Sequence, residues 1–441
     1  MSRFGGFALV LALAGGTAPP LVMAQSTETS AVRDTVVVPE PASASPAETA
    51  ANPAVDTTAA ADTTAADTTA TDATATDTTV TAEPAASASV AAPAEEAARK
   101  TLGISGYVTG SYTYSNGHSG SAIVGRFYDR LHNQSVFNAA KVVLDLAPAT
   151  DKLDAGFRAD FLFGQNAAVT KSLGLNLGDN ADLIQGYAVL NLPLRGEGKY
   201  VQFKVGKMAT LMGFEVIEDV VNPNLSVANQ FVYLENFTNT GLRVDVKPSA
   251  ALDFQLAVFN GWDVVEDNNT RKSFMGRVGI TATPTTTVGL LGYFGPEQAD
   301  ATPNRYGAEV LLSQKLGGGR AAVYLQGDYG QEEDLVGPGE NAKWWGAGLW
   351  GTYDVTPVVG IGLRGDYIDD KNGARTSGVL GFPANTRHKF GSATATLNLK
   401  VFPGAMVRPE LRYDRSNLEV YGEDDPSKNQ VSFGLGASYI F

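Results

Sequence analysis

The chain has 441 residues, 48 of them Gly and none of them Cys, and a formal net charge of −14. Without Cys there is no disulfide framework, no thiolate nucleophile and no Cys-ligated zinc or iron–sulfur site. The acidity is unevenly placed: residues 25–98 hold 12 acidic residues and one basic residue, whereas residues 101–441 hold 35 acidic and 29 basic.

Residues 1–24 contain one positive charge, Arg3, an apolar run from Phe7 to Ala14, and a small-residue exit at Val22-Met23-Ala24. This is the layout of a secretory signal peptide cleaved before Gln25. Eight apolar residues are too few to cross ~30 Å of hydrocarbon as a helix, and no later stretch reaches ~18 uninterrupted apolar residues. Residues 25–100 form an Ala/Thr/Asp/Pro-rich tail with near-repeats at Asp56-Thr-Thr-Ala, Asp62-Thr-Thr-Ala and Asp67-Thr-Thr-Ala. So few large apolar residues cannot offset the entropy of ordering the backbone, and the tail is expected to be a disordered, solvated spacer.

From Leu102 onward the period of the pattern is two. In Leu153 to Phe163, Leu153, Ala155, Phe157, Ala159, Phe161 and Phe163 share one face while Asp154, Gly156, Arg158 and Asp160 share the other. Sixteen such segments are predicted, at 102–114, 137–147, 153–163, 183–193, 200–210, 237–247, 251–261, 273–283, 286–295, 305–316, 320–331, 343–354, 357–368, 388–401, 405–416 and 430–441. Most are close to the ~9–11 residues that a tilted transmembrane strand needs.

The connections alternate short and long. Short ones carry turn residues, as in Pro248-Ser249-Ala250, Gly317-Gly318-Gly319 and Phe402-Pro403-Gly404; long ones, including 115–136, 164–182, 211–236 and 369–387, read as polar. Lys141, Asp160, Lys204, Asp245, Glu309, Asp328, Arg364, Asp366, Glu410 and Asp414 fall on the polar faces, too many charges for a dry interior but suited to a wet lumen. Aromatics such as Tyr114, Phe163, Tyr367 and Tyr413 end the apolar faces on the loop side, as in an interfacial girdle. The last segment, 430–441, alternates to a terminal Phe441 and is expected to pair with the first. Pro409 predicts a bulge or a local break in the fifteenth strand. The expected fold is all-β: a transmembrane antiparallel β-barrel of about 16 strands over residues 101–441.

The stretches "FNAAKVVLDLAPAT", "ADFLFGQNA", "GKMATLMGFEVIEDVVNPNLS" and "FTNTGLRVDV" resemble the OmpL-like putative beta-barrel porins of Gram-negative outer membranes. The likeness runs over roughly Leu102 to Phe441. It implies a pore-former in the outer membrane, embedded in lipid and lipopolysaccharide, with Phe441 as the signal that outer-membrane assembly machinery reads.

About sixteen strands leave an aqueous channel, so the expected function is passive diffusion of small hydrophilic solutes or ions, without cofactor or catalysis. The expected constriction is the third outer loop, 211–236, through Glu215, Glu218 and Asp219. Arg158, Arg243, Arg277, Arg408 and Arg412 are expected to face it and set up a transverse field. Barrels of this kind could associate as homo-oligomers, and the tail would lie in the periplasm. The alternative is an adhesin or anchor working through its outer loops or acidic tail. Catalysis is disfavoured because His118, His132 and His388 lie in or beside outer loops. The clusters "GEDDPSKN" and "VVEDNNT" lack the ordered spacing of a calcium loop, and no phosphate cradle or nucleic-acid stripe is present.

Overall fold

A computed structural model describes residues 100–422 and 425–441; the expected signal peptide and the tail to residue 99 lie outside the described residues. In chain order the strands are β1 (Gly103–Ser115), β2 (His118–Ser119), β3 (Ala122–Ile123), β4 (Gln134–Leu146), β5 (Asp154–Phe163), β6 (Ala181–Pro193), β7 (Tyr200–Ala209), β8 (Thr238–Lys247) and β9 (Leu252–Phe259). They continue as β10 (Ser273–Thr283), β11 (Thr286–Pro296), β12 (Asn304–Leu316), β13 (Ala321–Gly337), β14 (Glu340–Thr356), β15 (Val359–Asp370), β16 (His388–Phe402), β17 (Ala405–Ser416) and β18 (Asn429–Ile440). Two short helices, α1 (Asn229–Tyr233) and α2 (Ser377–Leu380), interrupt long connections.

Sixteen of these strands close into one antiparallel barrel, β2 and β3 forming a separate small hairpin in the first long connection. The barrel closes between β1 and β18, with Tyr107 opposite Ile440 and Tyr114 opposite Phe433. Phe441 N–H donates to Gly106 O at 3.0 Å and Gly106 N–H to Phe441 O at 3.1 Å, so the chain end completes the ladder and removes the sheet edge. A Cβ at Gly106 would lie 2.1 Å from Lys141 O and 2.8 Å from the Phe441 ring; this seam requires glycine.

The alternation read from the sequence is inside out relative to a soluble barrel. On β18 the outward Val431, Phe433, Leu435 and Tyr439 are exposed while the inward Gln430 and Ser432 are buried. A continuous outward apolar band with a polar interior is what hydrocarbon solvent selects. The aromatic girdle is present, with Tyr114, Phe163, Tyr367 and Tyr413 exposed near the long-loop end.

Pro409 gives the expected local break, on one side only. Pairing with β18 runs through Pro409 opposite Leu435 without a shift. On the β16 side the ladder skips from Thr396↔Glu410 to Leu399↔Val407 in unchanged register. One ladder is locally open and no bulge forms there, because only one neighbour needs the missing N–H. β13 and β14 also run past their expected ends, pairing out to Glu332 opposite Ala342 and again at Gly337 opposite Glu340. Their hairpin therefore extends beyond the segments set by the apolar alternation.

Candidate functional site

The connection between β7 and β8 is the feature that distinguishes this lumen. It is not a polar outer loop. Leu211, Met212, Val216, Ile217, Val220, Leu225, Val227, Phe231, Val232, Tyr233, Leu234 and Phe237 are all buried. Ile217, Val220, Val227, Phe231, Val232, Tyr233, Leu234 and Phe237 pack with Tyr107, Ala139, Leu162, Trp344 and Trp350 from the wall in one cluster, and Leu211 and Met212 pack with Phe259, Met275, Leu291 and Tyr293 in another. The segment has folded into the barrel, correcting the expectation of a polar connection. Its apolar content was the signal available in the sequence.

Inward glycines make the seat. A Cβ at Gly362 on β15 would stand 2.3 Å from Pro223 O, one at Gly436 on β18 would stand 2.4 Å from Leu225 Cδ1, and one at Gly346 on β14 would stand 2.5 Å from Leu234 Cδ1. Irregular backbone is tolerated at membrane depth only when protein or water satisfies it, and here wall side chains do so. Glu410 accepts Leu225 N–H at 2.6 Å and Ser226 N–H at 3.0 Å. Asp366 accepts Asn229 N–H at 2.7 Å. Arg408 donates to Asn222 O and Asn224 O, both at 3.2 Å, and Arg412 donates to Val227 O at 2.6 Å.

The three loop acids point at this wall. Glu215 accepts from Arg364 Nη1 at 2.8 Å, from Trp350 Nε1 at 2.8 Å and from Ala228 N–H at 2.6 Å. Glu218 pairs with Lys141, which also holds Asp160 at 2.8 Å. Asp219 accepts from Thr109 Oγ1 at 3.3 Å. Burial pushes its carboxyl up to about 6, with Arg408 and the Thr109 hydrogen bond opposing.

The structure divides the five expected arginines. Arg408 and Arg412 meet the seated segment directly, Arg412 also bonding Asp414 at 2.8 Å. Arg158, Arg243 and Arg277 stand on the wall from β5 to β10; Arg158 and Arg243 pair with acids two residues along their own strands, Asp160 at 2.8 Å and Asp245 at 2.9 Å, and Arg277 pairs with Asp253 on β9 at 2.9 Å. Arg243 also reaches Ala209 O, where the connection begins, at 3.2 Å. Lys141, Arg364, Asp366 and Glu410 were legible as lumen-facing but not as partners of this connection, because those partnerships are set by the closed barrel.

The long-loop mouth is also dressed by loops. Arg126 of the first long connection bonds Asp129 at 2.6 Å and Asp414 at 2.8 Å, and Arg375 Nε donates to Tyr233 O at 2.8 Å. His118 and His132 stack with centroids 3.9 Å apart. His388 Nε2 lies 2.9 Å from Ser416 Oγ inside the wall, where both groups are buried.

Residues 101–441 match the family described as "Putative beta-barrel porin-2, OmpL-like". A search of curated proteins found no match. Among solved structures, the outer membrane channel DcaP of Acinetobacter baumannii is similar at 12% identity and a TM-score of 0.54, over 77% of this chain and 97% of that one. The anion-selective porin from Comamonas acidovorans is similar at 11% identity and 0.52, over 77% and 99%. OmpT of Vibrio cholerae in its trimer form is similar at 13% and 0.50, over 77% and 99%. At these identities the structures establish a shared barrel fold. The family match covers the whole barrel: the chain belongs to the OmpL-like beta-barrel porin-2 family, an outer-membrane channel for small solutes.

Proposed function

We propose that this porin conducts small hydrophilic solutes passively and that the connection 210–237 sets its conductance. The observation that carries this reading is the seating of that connection on wall side chains by Glu215–Arg364, Glu218–Lys141 and the Arg408 and Arg412 contacts. Glu215, Glu218 and Asp219 act as its acidic anchors, Arg364 and Lys141 pair with the first two, and Arg408 and Arg412 hold its backbone carbonyls. Arg158, Arg243 and Arg277 act as the basic side of the wall. The long connections face outward and the short turns face the periplasm, by the usual sorting of such barrels. β1 starts at the short-turn end, so the N-terminal tail enters the periplasm. Lipid and lipopolysaccharide cover the apolar band, Phe441 is the residue read during outer-membrane assembly, and barrels associate as homo-oligomers. No step of catalysis is assigned.

The test is single-channel recording of the refolded chain in a planar bilayer under a salt gradient. Stable steps with a defined reversal potential are expected. A folded barrel that never conducts would overturn the reading in favour of an outer-loop anchor or adhesin.

A further inference from the structure

The connection 210–237 shows the lumen very little of itself. Among its described residues Val221 alone is exposed, at 48%, and Phe214 and Pro223 are half-buried. Its four acids, Glu215, Glu218, Asp219 and Glu235, are each 2% exposed or less. Charged side chains ordinarily take the water and apolar ones the packing. Here the order is reversed: the acids turn to the wall, and a valine faces the space left inside the barrel.

The tip that carries Val221 is pinned on both sides. Val221 N–H donates to Glu218 O at 2.9 Å, and the Glu218 side chain is fixed to Lys141. Asn222 Oδ1 accepts Val216 N–H at 2.9 Å while its Nδ2 donates to Val216 O. Arg408 holds Asn222 O and Asn224 O. Asn398 Nδ2 donates to Pro223 O at 3.0 Å, and Asn224 Nδ2 donates to Thr396 Oγ1 at 2.7 Å. Pro223 adds a fixed φ of its own. A β-branched side chain on such a backbone is stiff at χ1, so the isopropyl group stands at a defined place. Asn398 and Arg408 lie near the short turn between β16 and β17, so the tip hangs toward the short-turn end of the lumen.

The other two accessible side chains are partly covered. Phe214 stacks on Tyr324 with centroids 4.2 Å apart and leans on Trp350 at 4.9 Å. Pro223 sits over Gly362, where a Cβ would stand 2.3 Å from its carbonyl oxygen. Both are apolar, as is Val221 between them.

We propose that Val221 is the specificity-determining residue of the connection, the side chain that a passing solute meets there. It contributes shape and no charge to the narrow part of the lumen, so this side of the channel sorts solutes by width. The loop acids anchor, and the valine touches the solute. This inference rests on the reading that the connection sets conductance.

Because the chain has no Cys, Val221→Cys introduces a single thiol. The folded variant in detergent is treated with a cationic methanethiosulfonate (ethyltrimethylammonium) or an anionic one (ethylsulfonate). Mass spectrometry should find one adduct per chain. Val220→Cys, at a position 5% exposed, should react at least about tenfold more slowly, because thiol reactivity follows access. Heat-shifted migration on gels reports that each variant is folded. In a planar bilayer under a salt gradient, both adducts should lower the step size, and the two should move the reversal potential in opposite directions. Val221→Lys and Val221→Asp should give the same opposed shifts without labelling. A folded Val221→Cys protein that takes up no reagent would overturn the proposal. So would full labelling that leaves step size and reversal potential unchanged, and with wild-type steps recorded alongside, that result leaves the conduction reading standing. A silent wild type would overturn the conduction reading and this inference with it.

Discussion

The guanidinium of Arg364 on β15 lies 2.8 Å from the carboxylate of Glu215, and both side chains are wholly buried. One partner comes from the wall and the other from the connection between β7 and β8, 149 residues away in sequence. Trp350 Nε1 and Ala228 N–H complete the acid's donors, so this contact reports whether the connection is seated.

Removing one partner of such a pair leaves the other charge buried. Arg364→Met should weaken seating by about 3–5 kcal/mol, the usual cost of orphaning a buried charge. Single-channel recordings should show larger, noisier steps than wild type. The heat-shift temperature of the barrel on gels should barely move, because the strand ladders are untouched. Wild-type conductance in this variant would separate the pair from the channel.

Filling the glycine seat tests the same movement by shape alone. Gly362→Ala and Gly436→Ala place a Cβ 2.3 Å from Pro223 O and 2.4 Å from Leu225 Cδ1, too close for either atom to stay. Both should raise conductance. Gly351→Ala, whose Cβ meets nothing within 4 Å, should be silent. Equal recordings from all three would mean that the connection does not limit flow.

Asp219 gives a pH signature. In the seated state burial raises its carboxyl to about 6, above the ~3.9 of a solvated Asp. A raised carboxylate favours the seated state fully below the lower value, and that contribution is lost as pH rises through the higher one. Thr109 and Arg408 on the wall and the adjacent Glu218 face this group, and Tyr107 lies close enough to feel its charge. The ratio of wild-type to Asp219→Asn conductance should therefore climb between about pH 4 and 6. A flat ratio would show that Asp219 does not titrate with seating.

The lipid face makes the last prediction. Leu435 sits near the middle of β18 with its side chain outward. Leu435→Lys should cost about 2–4 kcal/mol, the penalty for a Lys at the midplane of a membrane barrel. Urea unfolding of the barrel in lipid vesicles measures it. A change below half a kcal/mol, against the ~2 kcal/mol lower bound, would place this face outside the hydrocarbon.

Strand count, inside-out alternation, the alternation of turns and loops and the closure of β18 on β1 were all legible in the sequence. Each follows from a local rule: side chains alternate along a strand, and lipid leaves no backbone amide unpaired. Residues 211–236 were expected to form the constriction, but the wall contacts that hold them were not legible. Glu215, Glu218 and Asp219 could be read as a cluster and Arg408 and Arg412 as lumen-facing, yet the partners Arg364 and Lys141 are far away in sequence. Gly362 and Gly436 read as unremarkable strand glycines until closure turned them toward the same space. Their role depends on where sixteen strands place their inner faces. A periodic pattern specifies which side of a strand is wet, but only the closed barrel brings one wall against another segment, and that juxtaposition decides which charges pair.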